Sequence, residues 1–285
     1  MTRQTIMDLE KLIEDIDELV SFPQVAIRVT RMVEDRVSSA EELGRELAQD
    51  PALSLKLLRL ANSPLYGARS EIDTISRAVM ILGTMRIRDM VLASSAVDSF
   101  SGIPNELVTM EDFWRRSLYT GLASRYIAAQ RDEGREESSF VAGLLHNIGK
   151  LVIYNRFPEQ SVRSFMMVLD GEVTESYQAE KKILGFDHAE LGGALLSNWD
   201  LPAHLVEAVA CHHEPEKAEQ YPVEAALTHV SSRISLMAQL DTTAIADIPP
   251  VNVASMECLG LSYEDLPAIV EQIQHAIVDL EEVLL

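Results

Sequence analysis

Apolar residues recur at three- and four-residue spacing through almost every segment of this chain, with no convincing run of strand-like alternation between them. That period gathers apolar side chains into a stripe on a helix, so it restricts the chain to an all-α architecture. Leu9, Leu12, Ile13, Ile16 and Leu19 mark a first amphipathic helix, which Phe22-Pro23 breaks. A second helix runs from Val25 to Val33. Ser39 and Glu42 form a capping-box pair for a third, ending near Gln49. Asp50-Pro51 supplies a capping acid and an N1 proline to Leu53–Ala61. Asp73 or Thr74 opens a short helix that Gly83 stops, and Thr84 opens one reaching about Phe100. A long helix covers roughly Glu111 to Arg131. Ser138 or Ser139 caps one continuous central helix, about Phe140 to Arg156. Pro158 begins a helix to about Leu169, and Thr174 begins one that Gly185 closes. Asp187 with Glu190 repeats the capping pattern for a helix through Trp199. Pro202 opens the helix that delivers Cys211-His212-His213. Val223–Leu240 is helical, and Ser262 caps a last helix, Tyr263 to about Val283.

Punctuation by Gly and Pro at 101–105 (SGIPN) places a boundary there. The reading is two packed helical lobes, residues 1–102 and 103–245, followed by a helical extension over 246–285. Met80, Met85, Met90, Met166 and Met167 are expected to fill the core. The stripe of Leu266, Ile269, Val270, Ile273 and Ile277 is expected to pack on the chain's own second lobe.

Composition excludes several functions. A formal net charge of −21 over 285 residues is poor footing for a phosphate backbone, so no nucleic-acid partner is expected. Two widely spaced cysteines, Cys211 and Cys258, make neither a zinc motif nor a disulfide framework and suit a reducing cytoplasm. The acid-studded N-terminus is not a signal peptide, and no apolar window is long enough to cross a membrane.

The stretch FVAGLLHNIGK, Phe140 to Lys150, sets a His-Asn pair among apolar residues. Buried polar groups need partners, so this pair either hydrogen-bonds within the core or belongs to a site. Of seven histidines, His146, His188, His212 and His213 fall at helix ends or in core positions. His204, His229 and His275 sit in surface-like contexts. Helical bundles build metal sites from such facing side chains.

LLHNIGK resembles the LLHDIGK signature of the HD superfamily of metal-dependent phosphohydrolases. The run from about Leu19 to Glu214 resembles the HDOD domain, an HD-related bacterial signalling module. FPQVAIRV, DPALSLKLLRLANSPLYG and ISRAVMILGTMRIRDMVL carry the likeness in the first lobe. FWRRSLYTGLASR, FVAGLLHNIGKL, GFDHAELGGALLSNWDLP and AVACHHEP carry it in the second. The resemblance implies that this second lobe is an HD-like helical bundle.

Against the HD ligand set the sequence departs in three places. Arg116 stands where the first His is expected, Asn147 replaces the central Asp, and Ser231-Ser232 fill the region of the distal Asp, within Thr228 to Arg233. A carboxylate gives charge to a divalent cation; an amide and a hydroxyl give little, and a guanidinium repels it. Tyr221-Pro222 after the paired histidines echoes the Gly-Tyr-Pro of the HD-GYP subfamily, but Gln220 replaces the Gly. The remnant pocket comprises Arg116, His146, Asn147, His188, His212, His213 and Ser232. It has no assigned catalytic residue and no expected cofactor; any metal would be a single Zn, Fe or Mn on His146, His188 and His212.

The resemblance therefore implies a cytoplasmic, non-catalytic module of bacterial signal transduction that binds a protein or small ligand. No receiver, cyclase or kinase domain is expected within this chain, so such partners act in trans. The alternative is a metal-dependent phosphohydrolase of a nucleotide or phosphodiester. A third reading is a metal or redox sensor using His188, His212 and Cys211.

Overall fold

The computed structural model describes residues 9, 12, 13, 22–34, 38–66, 71–100, 107–131 and 134–285. Most of the first expected helix and the 101–105 boundary lie outside them. Every regular element among the described residues is helical.

The first lobe holds α1 (Gln24–Glu34), α2 (Ala40–Leu47), α3 (Pro51–Asn62), α4 (Ile75–Leu82) and α5 (Thr84–Phe100). Its boundaries follow the expected chemistry. Ser39 and Glu42 complete a reciprocal capping box, Asp50 accepts from the Leu53 N–H, and Thr74 from the Arg77 N–H. The second lobe holds α6 (Met110–Gln130), α7 (Glu136–Leu145), α8 (Ile148–Arg156), α9 (Pro158–Leu169), α10 (Ser176–Leu184), α11 (His188–Asn198), α12 (Ala203–Ala210) and α13 (Pro222–Gln239). Then come α14 (Val253–Leu259), not anticipated from sequence, and α15 (Leu266–Leu284). Central α6 packs against α7, α13 and α15, while α11 packs against α8 and α12.

The lobes meet along α5 and α7. There Trp199 stacks on Phe22 at 5.1 Å and meets Phe100 edge-on at 5.9 Å. The buried apolar side chains form one cluster extending from Leu12 to Leu284. As expected, Leu266, Ile269, Val270, Ile273 and Ile277 are buried, against α6 and α13 and also against α3 of the first lobe.

Several expectations need correction. The central helix is not continuous: His146 and Asn147 form a turn between α7 and α8. Asn147 takes φ −100°, ψ 8°, outside the helical basin. Neither Ser138 nor Ser139 caps α7. The helix begins earlier, after Arg135, with Glu136 and Glu137 supplying the acids of the first turn. The hydroxyl of Ser138 instead donates back to the Arg135 carbonyl at 3.1 Å. Similarly, α10 begins at Ser176 rather than Thr174, and α15 at Leu266, because Ser262 is occupied with the Asp265 carboxylate. Met90 is core, but Met80, Met85 and Met166 are exposed. Hydrophobicity put them inside; no element among the described residues covers the helix faces they occupy.

Candidate functional site

The site forms where the α7–α8 turn, the start of α11 and the turn after α12 converge. Gly149 makes this possible. A Cβ there would lie 2.1 Å from the His188 carbonyl oxygen, so only glycine lets α8 cross the start of α11 backbone to backbone. Just upstream, Gly185 closes α10 at φ 94° and redirects the chain into the Asp187–Glu190 capping box of α11. His188 is thereby the first residue of α11 and is fully buried. Cys211, His212 and His213 lie in the turn after α12 rather than on the helix itself.

The imidazoles are held in defined tautomers. Nδ1–H of His146 donates to the Gly143 carbonyl at 2.7 Å, and that of His212 to the Val209 carbonyl at 2.8 Å. Each Nε2 therefore offers a lone pair. Nδ1–H of His188 donates to the Glu180 carboxylate at 2.6 Å, and the His188 backbone N–H adds a second bond to it at 2.9 Å. His188 Nε2 then accepts from His213 Nε2 at 2.8 Å. Two lone pairs remain buried without a partner, on His212 Nε2 and His213 Nδ1. The His213 ring stacks on Tyr177 at 4.2 Å. Burial, reinforced by neighbouring cations and imidazoles, holds all four histidines well below the usual histidine range, so they are neutral near pH 7.

His229 is not on the surface. It is buried, donates from Nδ1 to the His212 carbonyl at 2.8 Å and accepts the Asn252 N–H at Nε2 at 3.0 Å. It thus fixes the His212 turn from behind. Nothing in its local sequence shows this, because α14 brings Asn252 to it only in the folded chain. His204 is also partly buried, its ring 6.0 Å from that of Tyr221, whereas His275 is exposed as expected. Tyr221 and Pro222 serve as the start of α13, with backbone N–H groups of 219–221 donating to the Glu207 carboxylate.

A cavity of about 620 Å³ opens onto this centre. Arg116, His146, Asn147, His212, His213 and Ser232 line it, so the structure brings the sequence-derived set together; His188 lies behind His212 and His213. Arg233, Glu175, Lys150 and Ser176 also line it and were missed. Arg233 forms a two-pronged ion pair with Glu175 at 2.6 and 3.0 Å, and Lys150 donates to the Ser176 hydroxyl at 3.2 Å. Lys150 closes the HNIGK stretch and Arg233 bounds the distal-Asp region, so both were in view. Burial beside Arg116 pushes the Lys150 amine down to about 8. Arg116 itself is lowered by burial, its Nε is buried without a hydrogen-bond acceptor, and among the described residues it forms no salt bridge. Ser232 donates to the His229 carbonyl at 2.7 Å, and Ser231 is fully buried. Cys211 is half-buried, and burial pushes its thiol up, away from a metal-ready thiolate.

HD-type folds imply a metal centre, and the donor set can be tested for one. Ligand atoms of His188, His212 and His213 all lie within 4.8 Å of one another. His146, the third imidazole of the set read from the sequence, lines the same cavity with its ring centre 5.1 Å from that of His212. The unpartnered lone pair on His212 and the carboxylate behind His188 fit a single imidazole-bound ion. A carboxylate-bridged metal pair does not fit. Asn147 and Ser231-Ser232 supply no charge, and Arg116 adds a cation.

The HDOD domain model matches residues 19–215, and the chain belongs to that family. Its fold is close to that of a Shewanella amazonensis protein named as a candidate phosphohydrolase, with TM-score 0.76, 26% identity and coverage of 96% of this chain and 98% of the other. A Geobacter sulfurreducens HDOD domain protein of unknown function gives TM-score 0.73 at 24% identity over 97% and 98% of the two chains. A Marinobacter aquaeolei protein named as a candidate in signal transduction gives 0.74 at 20% identity, covering 99% of this chain and 63% of that one. An uncharacterised Treponema pallidum protein is 24% identical over 220 residues, and the match spans 42% of its length. No helix among the described residues is long and apolar enough to cross a membrane.

Proposed function

We propose that this chain is a non-catalytic HDOD regulatory module of bacterial signal transduction. It works by binding, and its output reaches cytoplasmic signalling proteins of the receiver, cyclase or kinase type supplied in trans. The observation that carries the reading is Arg116, a guanidinium without a counter-ion at the position of an expected metal ligand. A fixed positive charge there opposes a divalent pair and favours an anion. The test is hydrolysis of bis(p-nitrophenyl) phosphate with Mn, Fe or Zn. The expected rate equals that of His146→Ala; turnover that His146→Ala abolishes overturns the proposal.

A second reading, a metal-dependent phosphohydrolase, is favoured by the grouping of His188, His212 and His213 and by the name of the Shewanella relative. In that case these three imidazoles would hold one ion, which supplies Lewis acidity to a phosphoryl oxygen or a bound water. The chain's own part would be Glu180 fixing the His188 tautomer, with Lys150 and Arg116 orienting the anion. Metal analysis of protein purified without chelator or a His tag decides: a near-stoichiometric ion lost in His212→Ala supports this reading, and an empty site removes it.

A further inference from the structure

A second cavity, of about 730 Å³, lies on the other side of Arg116. Its walls come from α6, α13 and α15, and include Phe113, Tyr119, Gln239, Gln274 and Ile277. It shares Arg116, Asn147, Lys150 and Tyr154 with the histidine cavity. Much of its wall is α15, which lies outside residues 19–215, the span of the family match.

The other charges lining it are already engaged. Arg115 pairs with Glu281 at 2.6 Å and with Glu111 at 2.9 Å. Asp112 accepts from the Thr109 hydroxyl at 2.5 Å. Gln274 donates to the Ala238 carbonyl and the Asp241 carboxylate, both at 3.3 Å. Arg116 and Lys150 alone among its cations have no salt-bridge partner among the described residues. Two cations held together out of bulk water are costly unless an anion compensates them. On the histidine side, His146 and His212 line the wall with Nδ1 committed to backbone carbonyls, which leaves Nε2 lone pairs, that of His212 buried, and a lone pair repels an oxyanion. On the α15 side, the same two cations share a mixed wall, in which Phe113, Tyr119 and Ile277 stand beside Gln274 and the engaged carboxylates of Asp112 and Glu281.

We infer that the cavity between α6, α13 and α15 is a binding site for an organic phosphomonoester, with its dianion on Arg116 and Lys150 and its apolar body against Phe113, Tyr119 and Ile277. A guanidinium and an ammonium together match a dianion in charge, and the guanidinium adds two-pronged recognition of phosphate oxygens. The inference rests on the binding-module reading and gives that reading a ligand class and a seat.

Calorimetric titration of the full chain with phenyl phosphate, inorganic phosphate and benzoate tests it. Phenyl phosphate is expected to bind on the order of tenfold or more tighter than either of the others. Arg116→Gln is expected to weaken it by a similar factor. Two exposed residues each line only one cavity, so they separate the two seats: Val278 for this cavity and Leu169 for the histidine cavity. Val278→Trp is expected to block binding, while Leu169→Trp leaves it within about twofold. No binding by the wild-type chain overturns the inference. So does equal affinity for phosphate or benzoate, survival of binding in Arg116→Gln, or the reverse pattern in the two tryptophan variants. Release of phenol with Mn, Fe or Zn would instead overturn the non-catalytic reading, and the tryptophan pattern would still decide the seat.

Discussion

Two regions of this molecule bury charged groups, and they treat them in opposite ways. Between the lobes, Arg88 pairs with Asp89 at 2.6 Å and Arg125 with Glu137 at 2.7 Å. The Tyr66 hydroxyl donates to Glu137 at 2.8 Å, Arg125 reaches the Leu65 carbonyl at 3.1 Å, and Arg135 pairs with Glu224. Among the described residues, the buried Arg88, Asp89 and Glu137 and the half-buried Arg125 each have an opposite charge beside them. In the second lobe, Arg116 has none, and His212 Nε2 and His213 Nδ1 are lone pairs without donors. Paired burial is what a fold needs to join two lobes in one register. Unpaired burial lowers stability and persists where something else completes it, which is why the second region reads as a site and the first as structure.

The sharpest way to break this contrast is to remove one charge from each region. Asp89→Ala strands the buried Arg88 and is expected to cost about 3–5 kcal/mol in urea unfolding. Arg116→Met removes a stranded charge and is expected to be neutral or to stabilise by about 1–4 kcal/mol. Equal losses from the two variants would end the comparison.

Acid separates groups within the interlobe region. Burial, with Arg88 and Arg135 nearby, pushes His204 down to about 4. Its stabilising contribution is fully present above its unfolded value, about 6.5, and is lost as pH falls toward 4; the swing is on the order of 2–3 kcal/mol. Asp89 has the opposite sign. Burial raises it to about 6, so its contribution is present below about pH 4 and lost as pH rises through 6. Unfolding free energies at pH 7, 5.5 and 4 should therefore show a smaller acid loss in His204→Asn and a larger one in Asp89→Asn.

Gly149→Ala addresses the backbone crossing beneath the histidines. With its Cβ 2.1 Å from the His188 oxygen and 2.9 Å from the Gly192 nitrogen, it is expected to cost about 1–3 kcal/mol and to move His188. Unchanged thermal unfolding and unchanged histidine NMR shifts would show that the crossing is looser than the geometry requires. The smallest effect belongs to an exposed link between the lobes, Arg31 with Asp200 at 2.6 Å. Arg31→Ala is expected to change stability by less than about 1 kcal/mol. A larger loss would mean that the lobes depend on their rim as well as on the buried cluster.

Much of the fold was legible because helix boundaries are written locally. Ser39–Glu42, Asp50-Pro51, Thr74, Gly83, Asp187–Glu190 and Pro202 each act through bonds or dihedrals within a few residues, and each lies at a helix end in the fold. The failures have a different physics. The break at Asn147 lies two residues before the α11 crossing at Gly149, and Met80, Met85 and Met166 are exposed on faces that no other described element covers. Neither is a local property. The site was legible as residue types, since the His-Asn pair stands in the chain itself and the family resemblance marks Arg116, Asn147 and Ser231-Ser232 as departures.

The sequence alone determined an all-α chain, because helical period is a one-dimensional property, and its phrases carried the resemblance to the HDOD family, against which Arg116, Asn147 and Ser231-Ser232 stand where HD ligands are expected. Only the tertiary structure decided that ligand atoms of His188, His212 and His213 lie within 4.8 Å of one another, that His229 props the turn, and that Arg116 lines two cavities without a salt bridge among the described residues. Those facts depend on distances between residues far apart in the chain. Burial and pairing, unlike helical period, exist only once the helices have packed.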